Sequence, residues 1–376
     1  MRRLLLLASA IVFVDTLFFA ALTPLLPHYA HALGLDKTGA GVLSAAYPTG
    51  ALVGAVPSGL VAARFGVKPT VLVGLTAVAV TTVLFGFGTN AWQLDTARFV
   101  QGLASAFSWT GALAWLVAGT PGDRRGRMIG NAFATAIGGA LFGPVLGGIA
   151  SLAGIGWTFG TVGVLSLALV AWAATTPSER PDEPQPLSEL GRVLLYPPAA
   201  GAVWLVMLAS LFFGALSVLA PLRLSALGLG SAAIGAVFLV AAAFEAAANV
   251  ALGRISDRHG TGVPIAAGLA GSIVVAALLP WPHDRALLVP LVVASSIVFG
   301  MFFTPGMTLL SHLSEEQGLD HGYTFALVNL AWAPGQALGA VGGGALAHAA
   351  GSDAAPYLAL SAASAASLAA LRRFRR

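Results

Sequence analysis

An all-α integral membrane protein, with twelve transmembrane helices in two pseudo-symmetric six-helix halves, is the fold class this sequence predicts. Three observations predict it. Of 376 residues, 57% are apolar and 9% charged, with a mean hydropathy of +0.85, which is more apolar surface than a soluble core of this length uses. Apolar runs of helix length recur twelve times, leaving about 31 residues per crossing (376/12) where a crossing needs about 20. The second half also repeats the first at a nearly constant offset.

The runs fall at 4–27, 38–62, 69–88, 92–118, 128–151 and 157–175, then at 198–222, 232–252, 263–280, 286–312, 323–347 and 355–371. Arg2 and Arg3 before the first run imitate a cleaved signal peptide, but the apolar stretch continues to Pro27, too long for one, so span one is expected to be retained. An offset of 194 lays Leu17–Thr23 over Leu211–Ser217, Pro27 over Pro221, and Gly59, Arg64 and Gly66 over Gly253, Arg258 and Gly260. An offset of 196 lays Gly139, Gly143, Gly147 and Gly148 over Gly335, Gly339, Gly343 and Gly344. Such matches indicate a duplicated six-helix unit in parallel orientation. The expected division is 1–176 for the first half, a charged, Pro-rich linker at 177–197, and 198–376 for the second. Twelve crossings put both termini on one side. Of the 19 Lys and Arg, only Lys37, Arg223 and Arg285 then fall opposite and Arg98 inside span four, so the termini are expected in the cytoplasm.

Span one carries Asp15 at its middle, where hydrocarbon costs an ionised carboxylate about 2.5–3.5 kcal/mol. Water, a proton or a cationic ligand is the usual compensation, and this points to an aqueous route through the bundle. After span two, Gly59, Arg64, Gly66 and Lys68 form a short basic turn whose counterpart after span eight holds Asp257 and Arg258; the turns place cations at helix ends, and Asp257 is a candidate latch to an arginine of the other half. In span four, Arg98 and Gln101 share a face with Ser105 and Ser108 or Trp109, and Asp95 lies one turn before Arg98. Arg98 either pairs with Asp95 or faces the cavity.

Span five places Gly139, Gly143 and Gly147 on one face around Pro144, a pattern for close helix packing and a kink. Span eight carries Glu245 and, one turn on, Asn249; Asn329, Trp332 and Gln336 stripe span eleven. A buried carboxyl of this kind either rests neutral among its neighbours or serves as a cavity site for a cation or proton. Phe18, Phe19, Tyr47, Trp109, Phe213 and Phe244 pack helices or, where they face water, hold an organic cation by cation–π attraction. No hydrolase, zincin or P-loop signature occurs and cysteine is absent, so an enzyme, a metal site and a cofactor are not expected. The net charge of +4 lies between spans rather than on one face, which argues against nucleic acid and for the lipid bilayer as partner.

These motifs resemble those of the major facilitator superfamily, and within it the twelve-helix drug:proton antiporter branch, which implies the major facilitator fold. Residues 59–68 are similar to its signature loop, Arg98, Gln101 and Gly102 to its helix-four motif, and Gly139–Gly148 to the helix-five antiporter motif that marks exporters. Residues 15–29 are similar to the first helix of the vesicular amine transporters and their bacterial relatives, which implies that Asp15 meets the substrate's ammonium group. The chain departs from that family in having Asn329 for an acid, no acid around Phe302–Thr304, and Ala63 for an acid in the signature loop; Glu245 stands where the family has an aromatic and is the candidate for part of the missing proton coupling, while Asn249 matches.

The function expected is secondary active transport by alternating access, exporting a small amphipathic or cationic organic compound in exchange for protons, by a monomer in a bacterial cytoplasmic membrane. The abundant Ala, Gly, Arg and Pro point to a GC-rich genome. A facilitator or importer of a neutral metabolite or sugar, and a non-transporting sensor of the same fold, are the alternatives.

Overall fold

The computed structural model describes residues 2–121, 125–178, 187–319 and 321–374, and among these every regular element is helical. The first rod, α1, runs over Arg2–Ala20, passes through a 3-10 turn at Thr23–Leu25 and resumes at Leu26–Ala32. Next come α2 (Lys37–Phe65), α3 (Val67–Gly86), α4 (Ala91–Ala118), α5 (Arg125–Ala153) and α6 (Ile155–Thr175). A short helix, Leu187–Leu194, falls in the expected linker. The remaining rods are α7 (Pro197–Ala226), α8 (Ser231–His259), α9 (Gly262–Leu278), α10 (Arg285–Glu316), α11 (His321–Ala349) and α12 (Ala354–Phe374). Among the described residues nine helices are long and apolar enough to span a membrane, and Gly262–Leu278 is a shorter apolar one. The other two rods, α4 and α11, carry Arg98 and Gln101, and Asn329 and Gln336, which lowers their apolarity.

Helix ends follow local chemistry. Asp36, Asn90 and Asp284 cap α2, α4 and α10 by accepting from the backbone N–H of Gly39, Gln93 and Ala286. Gly66 and Gly260 close α2 and α8 with φ of 96° and 78°, a left-handed conformation that favours glycine, at positions related by the 194 offset.

The duplication is broken at the interruption of α1. Pro24 supplies no N–H for the carbonyl of Ala20, and the carbonyls of Phe18 and Phe19 accept from Arg98 instead of continuing the helix. At the same offset, Val218 stands for Pro24 and Val292 for Arg98. With neither the proline nor the arginine, α7 runs unbroken through this level.

Glycines set the helix pairings. A Cβ on Gly139 would strike the Phe13 carbonyl, on Gly143 the Cβ of Ala20, and on Gly147 the Ala21 carbonyl, so α5 lies directly on α1. The repeat does the same: Gly335 and Gly339 meet the carbonyls of Met207 and Leu211 on α7, and Gly343 meets Ala215. Between halves, a Cβ on Gly41 of α2 would lie 2.6 Å from the Ala340 carbonyl of α11, and one on Gly235 of α8 would lie 2.6 Å from the Pro144 carbonyl of α5. These two contacts are themselves related by the repeat.

Both contacts lie in the half of the bilayer away from the termini. There a continuous apolar core joins the halves, through Leu22, Leu25 and Leu43 on one side and Leu216, Leu219 and Ile234 on the other. Toward the termini the core splits into a cluster around Leu7, Ile11, Leu75 and Leu113 and another around Leu190, Val206, Leu310 and Leu327. The outward faces stay apolar, with Val73, Leu84, Leu165 and Val274 exposed, as lipid contact requires.

Candidate functional site

A cavity of about 240 Å³ lies between the halves, with walls from α1, α2, α4, α5, α7, α8, α10 and α11. Glu245 is the carboxyl group on that wall, and among the described residues it has no hydrogen-bond or ion-pair partner. Space for it comes from α10, where Gly300 faces it: a Cβ there would sit 3.2 Å from Glu245 Cγ and Oε1. Phe19, Phe213, Phe238, Phe303 and Trp332 give the wall five aromatic rings; Phe19 meets Trp332 edge-on at 5.4 Å across the two halves. Gln336 and Arg98 add polar groups, and Ser44 and Ser217, 3.3 Å apart, bridge α2 and α7 at the wall. Pro144 and Ala140, whose carbonyl Pro144 cannot bond, also line it.

Arg98 is 2% exposed and fastened from four sides. Its Nη1 donates to the Phe18 carbonyl at 3.1 Å and to Gln101 Oε1 at 2.8 Å, its Nη2 donates to the Phe19 carbonyl at 3.1 Å, and the guanidinium lies 4.8 Å from the Tyr47 ring and 5.7 Å from that of Phe85. Gln101 in turn donates to Thr82 Oγ1 at 2.7 Å. These hydrogen bonds go to α1 and α4 itself, and Asp95 takes none of them. Arg98 therefore pins the broken part of α1 rather than pairing one turn back along its own helix.

Asp15 is 4% exposed and does not line the cavity. Its Oδ2 accepts from Ser105 Oγ, and Ser105 Oγ accepts from the Tyr47 hydroxyl at 2.7 Å. Its Oδ1 is buried and has no hydrogen-bond partner among the described residues.

Of the residues singled out in the sequence, the structure gathers Glu245, Arg98, Phe19, Trp332 and Gln336 on one wall. Gln101 lies behind Arg98. Asn249, one turn from Glu245, accepts from Thr304 Oγ1 at 3.1 Å, and Asn329 sits half-buried on α11 outside the wall. Trp109 packs into the apolar cluster of the first half. In the signature loop, Lys68 donates to the Ala174 carbonyl at 2.6 Å at the end of α6, where a cation meets the negative end of a helix. Gly59 faces the Tyr323 ring, while Arg64 and Arg258 are exposed. The side chain of Asp257 is outside the described residues. The polar partners Thr82 and Ser217 carry no periodic signal of their own; Ser217 is visible only as the repeat mate of Thr23.

A family model described as the Major Facilitator Superfamily matches residues 8–324 and 206–376. The chain belongs to the Major Facilitator Superfamily. Among curated members of the superfamily, the chain is 30% identical over 153 residues to MFS-type transporter ppzB of Metarhizium rileyi, covering 37% of this chain and 30% of that protein. It is 31% identical over 158 residues to probable vesicular acetylcholine transporter-B of Danio rerio (39% and 32% covered) and 26% identical over 160 residues to multidrug resistance protein 2 of Bacillus subtilis (43% and 40%). The matched stretches thus span less than half of each relative. Whole-chain likeness comes from solved structures: the nucleoside transporter NupG superposes with a TM-score of 0.77 at 15% identity over 99% of this chain and all of that one. The D-xylose-proton symporter follows with a TM-score of 0.75 at 13% identity, covering 97% and 96%. At such identities the likeness is one of fold. The protein is a multi-pass membrane protein of this superfamily.

Proposed function

We propose that this superfamily member exports a small amphipathic organic cation in exchange for protons, by alternating access of the two halves around the central cavity. The observation that carries the reading is Glu245, a carboxyl without a protein partner among the described residues, set in an aromatic-walled cavity between the halves. A cation is the ligand such a wall favours: the carboxylate supplies the opposite charge, and each ring face adds about 0.5–2 kcal/mol of cation–π attraction as water is excluded. Protons bind the carboxyl groups Glu245 and Asp15, competing directly with cargo at Glu245, and each occupant stabilises a different balance of the two facing states. Arg98, with Gln101, ties the cavity wall to α1. Likeness to proteins named for multidrug resistance and for acetylcholine transport supports a cationic or amphipathic cargo moving out of the cytosol. The orientation goes with it: termini in the cytoplasm of a bacterial inner membrane, where the charge count places the basic loops.

The test is pH-gradient-driven uptake of ethidium into inside-out vesicles. Saturable uptake that collapses with the gradient and falls about tenfold or more in Glu245→Gln, the loss of a desolvated charge partner, is the expected result. Flux of a neutral sugar or nucleoside that ignores both the gradient and Glu245→Gln would identify a facilitator instead.

A further inference from the structure

The two carboxyl groups of the membrane centre have unlike surroundings. Glu245 faces the cavity, whereas Asp15 is separated from it by aromatic rings. Phe19, on the wall, packs at 5.1 Å on Tyr47; the Tyr47 hydroxyl donates to Ser105, and Ser105 donates to Asp15. In this line of contacts the rings of Phe19 and Tyr47 stand between the cavity wall and Asp15. The hydroxyl groups of Tyr47 and Ser105 form a hydrogen-bonded path to Asp15 from behind Phe19.

The neighbours of Asp15 leave it short of compensation for a full charge. From α2 it is faced by the Tyr47 phenol and from α4 by Ser105 and the Arg98 guanidinium, while α5 presents Gly138 and Gly139 to this part of α1. Among the described residues no ion pair joins Arg98 to Asp15: Nη1 and Nη2 donate to the Phe18 and Phe19 carbonyls and to Gln101, and Nε is buried without a hydrogen-bond partner. One buried carboxyl oxygen, Oδ1, therefore has nothing to accept from, which costs an anion more than a neutral acid that carries its hydrogen on Oδ2 and keeps Oδ1 as a carbonyl oxygen.

We propose that Asp15 is a proton site that cargo never touches, loaded through Tyr47 and Ser105, and that Glu245 alone meets the cargo; the second half of this statement rests on the cationic cargo proposed above. In loading, Ser105 passes its hydroxyl hydrogen to Asp15, Tyr47 passes its own to Ser105, and the Tyr47 oxygen takes one proton from the cavity side. Each O–H bond broken is replaced by one formed, and the net change is one proton added to the carboxylate. Phe19 is the partition between the two sites. Its carbonyl is held by Arg98 and its ring touches both Trp332 and Tyr47, so cargo seated against Phe19 and Trp332 bears on the ring that covers the relay.

Two measurements on the purified full chain separate this proposal from the reading beneath it. Equilibrium binding of ethidium is expected to stay within about twofold of wild type in Asp15→Asn, Ser105→Ala and Tyr47→Phe, and to weaken about tenfold or more in Glu245→Gln. Asp15→Asn weakening binding as much as Glu245→Gln would overturn the division of roles, since cargo would then touch Asp15. Wild type that binds no cation would sink the cargo reading alone. The proton site is read without cargo by infrared spectroscopy, where a protonated-carboxyl C=O stretch is expected that vanishes in Asp15→Asn and shifts in Ser105→Ala. A spectrum unchanged by Asp15→Asn would overturn the proton site, and thermal melting shows which variants are folded. Tyr47→Phe, which keeps the ring, isolates the hydroxyl.

Discussion

Gly300 shows how little room Glu245 has. A methyl group there would lie 3.2 Å from both Cγ and Oε1 of the glutamate, tighter than ordinary contact. Gly300→Ala is expected to push the carboxyl along the wall and to weaken ethidium binding about threefold to tenfold, a loss of about 0.7–1.4 kcal/mol, while thermal stability changes little. Binding equal to wild type would show that the carboxyl does not hold the cation where the structure places it. Arg98 makes an opposite kind of prediction, one of stability. A lysine cannot bridge two carbonyls and a glutamine at once, and each buried acceptor left bare costs about 1–3 kcal/mol. Arg98→Lys is expected to lower the melting temperature in detergent clearly, and a melting curve superposable on wild type would refute the role of the guanidinium as the clamp on α1. The importance of Arg98 was legible from its position in an apolar run; its partners were not, because Phe18 and Phe19 contribute backbone carbonyls that sequence does not distinguish from any others.

At the scale of helices, the glycine stripes of α5 and α11 do the same task twice. Gly339 lies against the Leu211 backbone, and a Cβ there has no flexible group to push aside, whereas Gly342 on the same helix has open space. Gly339→Ala is expected to destabilise by about 1–3 kcal/mol through overpacking. Gly342→Ala is expected to be neutral or to stabilise by up to about 1 kcal/mol through helix propensity. Opposite signs in thermal melting check the assignment, and equal effects would refute it. Spacing alone marked Gly139, Gly143 and Gly147 as one face. It could not tell that this face meets α1, or that Gly41 and Gly235 form the crossings between halves.

On the scale of the whole molecule, the face away from the termini is closed. Lys37 of the first half bonds Asp353 of the second at 2.5 Å, Arg223 approaches the same carboxylate at 3.9 Å, and His348 lies 3.4 Å from Asp36. The Asp353 side chain is only 6% exposed, so losing Lys37 leaves a buried anion with a weaker partner. Lys37→Met is expected to raise the population open to that face. The chain has no cysteine, so Ser217→Cys on the cavity wall reports the opening as faster maleimide labelling from that side. Labelling at the wild-type rate would mean that the pair does not latch the halves.

The twelve rods, most of their limits, the internal duplication and the polar residues worth inspecting were determined by the sequence itself, because hydropathy over a span and a recurring offset are local properties that burial in lipid makes nearly obligatory; span eight, expected to end at 252, continues to His259, where the basic turn hides the helix from hydropathy. Which carboxyl faces water was decided by the tertiary structure. Asp15 and Glu245 both sit mid-helix in apolar runs, and only the packing of Phe19 and Tyr47 over one and of Gly300 beside the other places the first behind a wall and the second upon it. Facing is set by contacts between residues distant in the chain, and no period along a single helix encodes them.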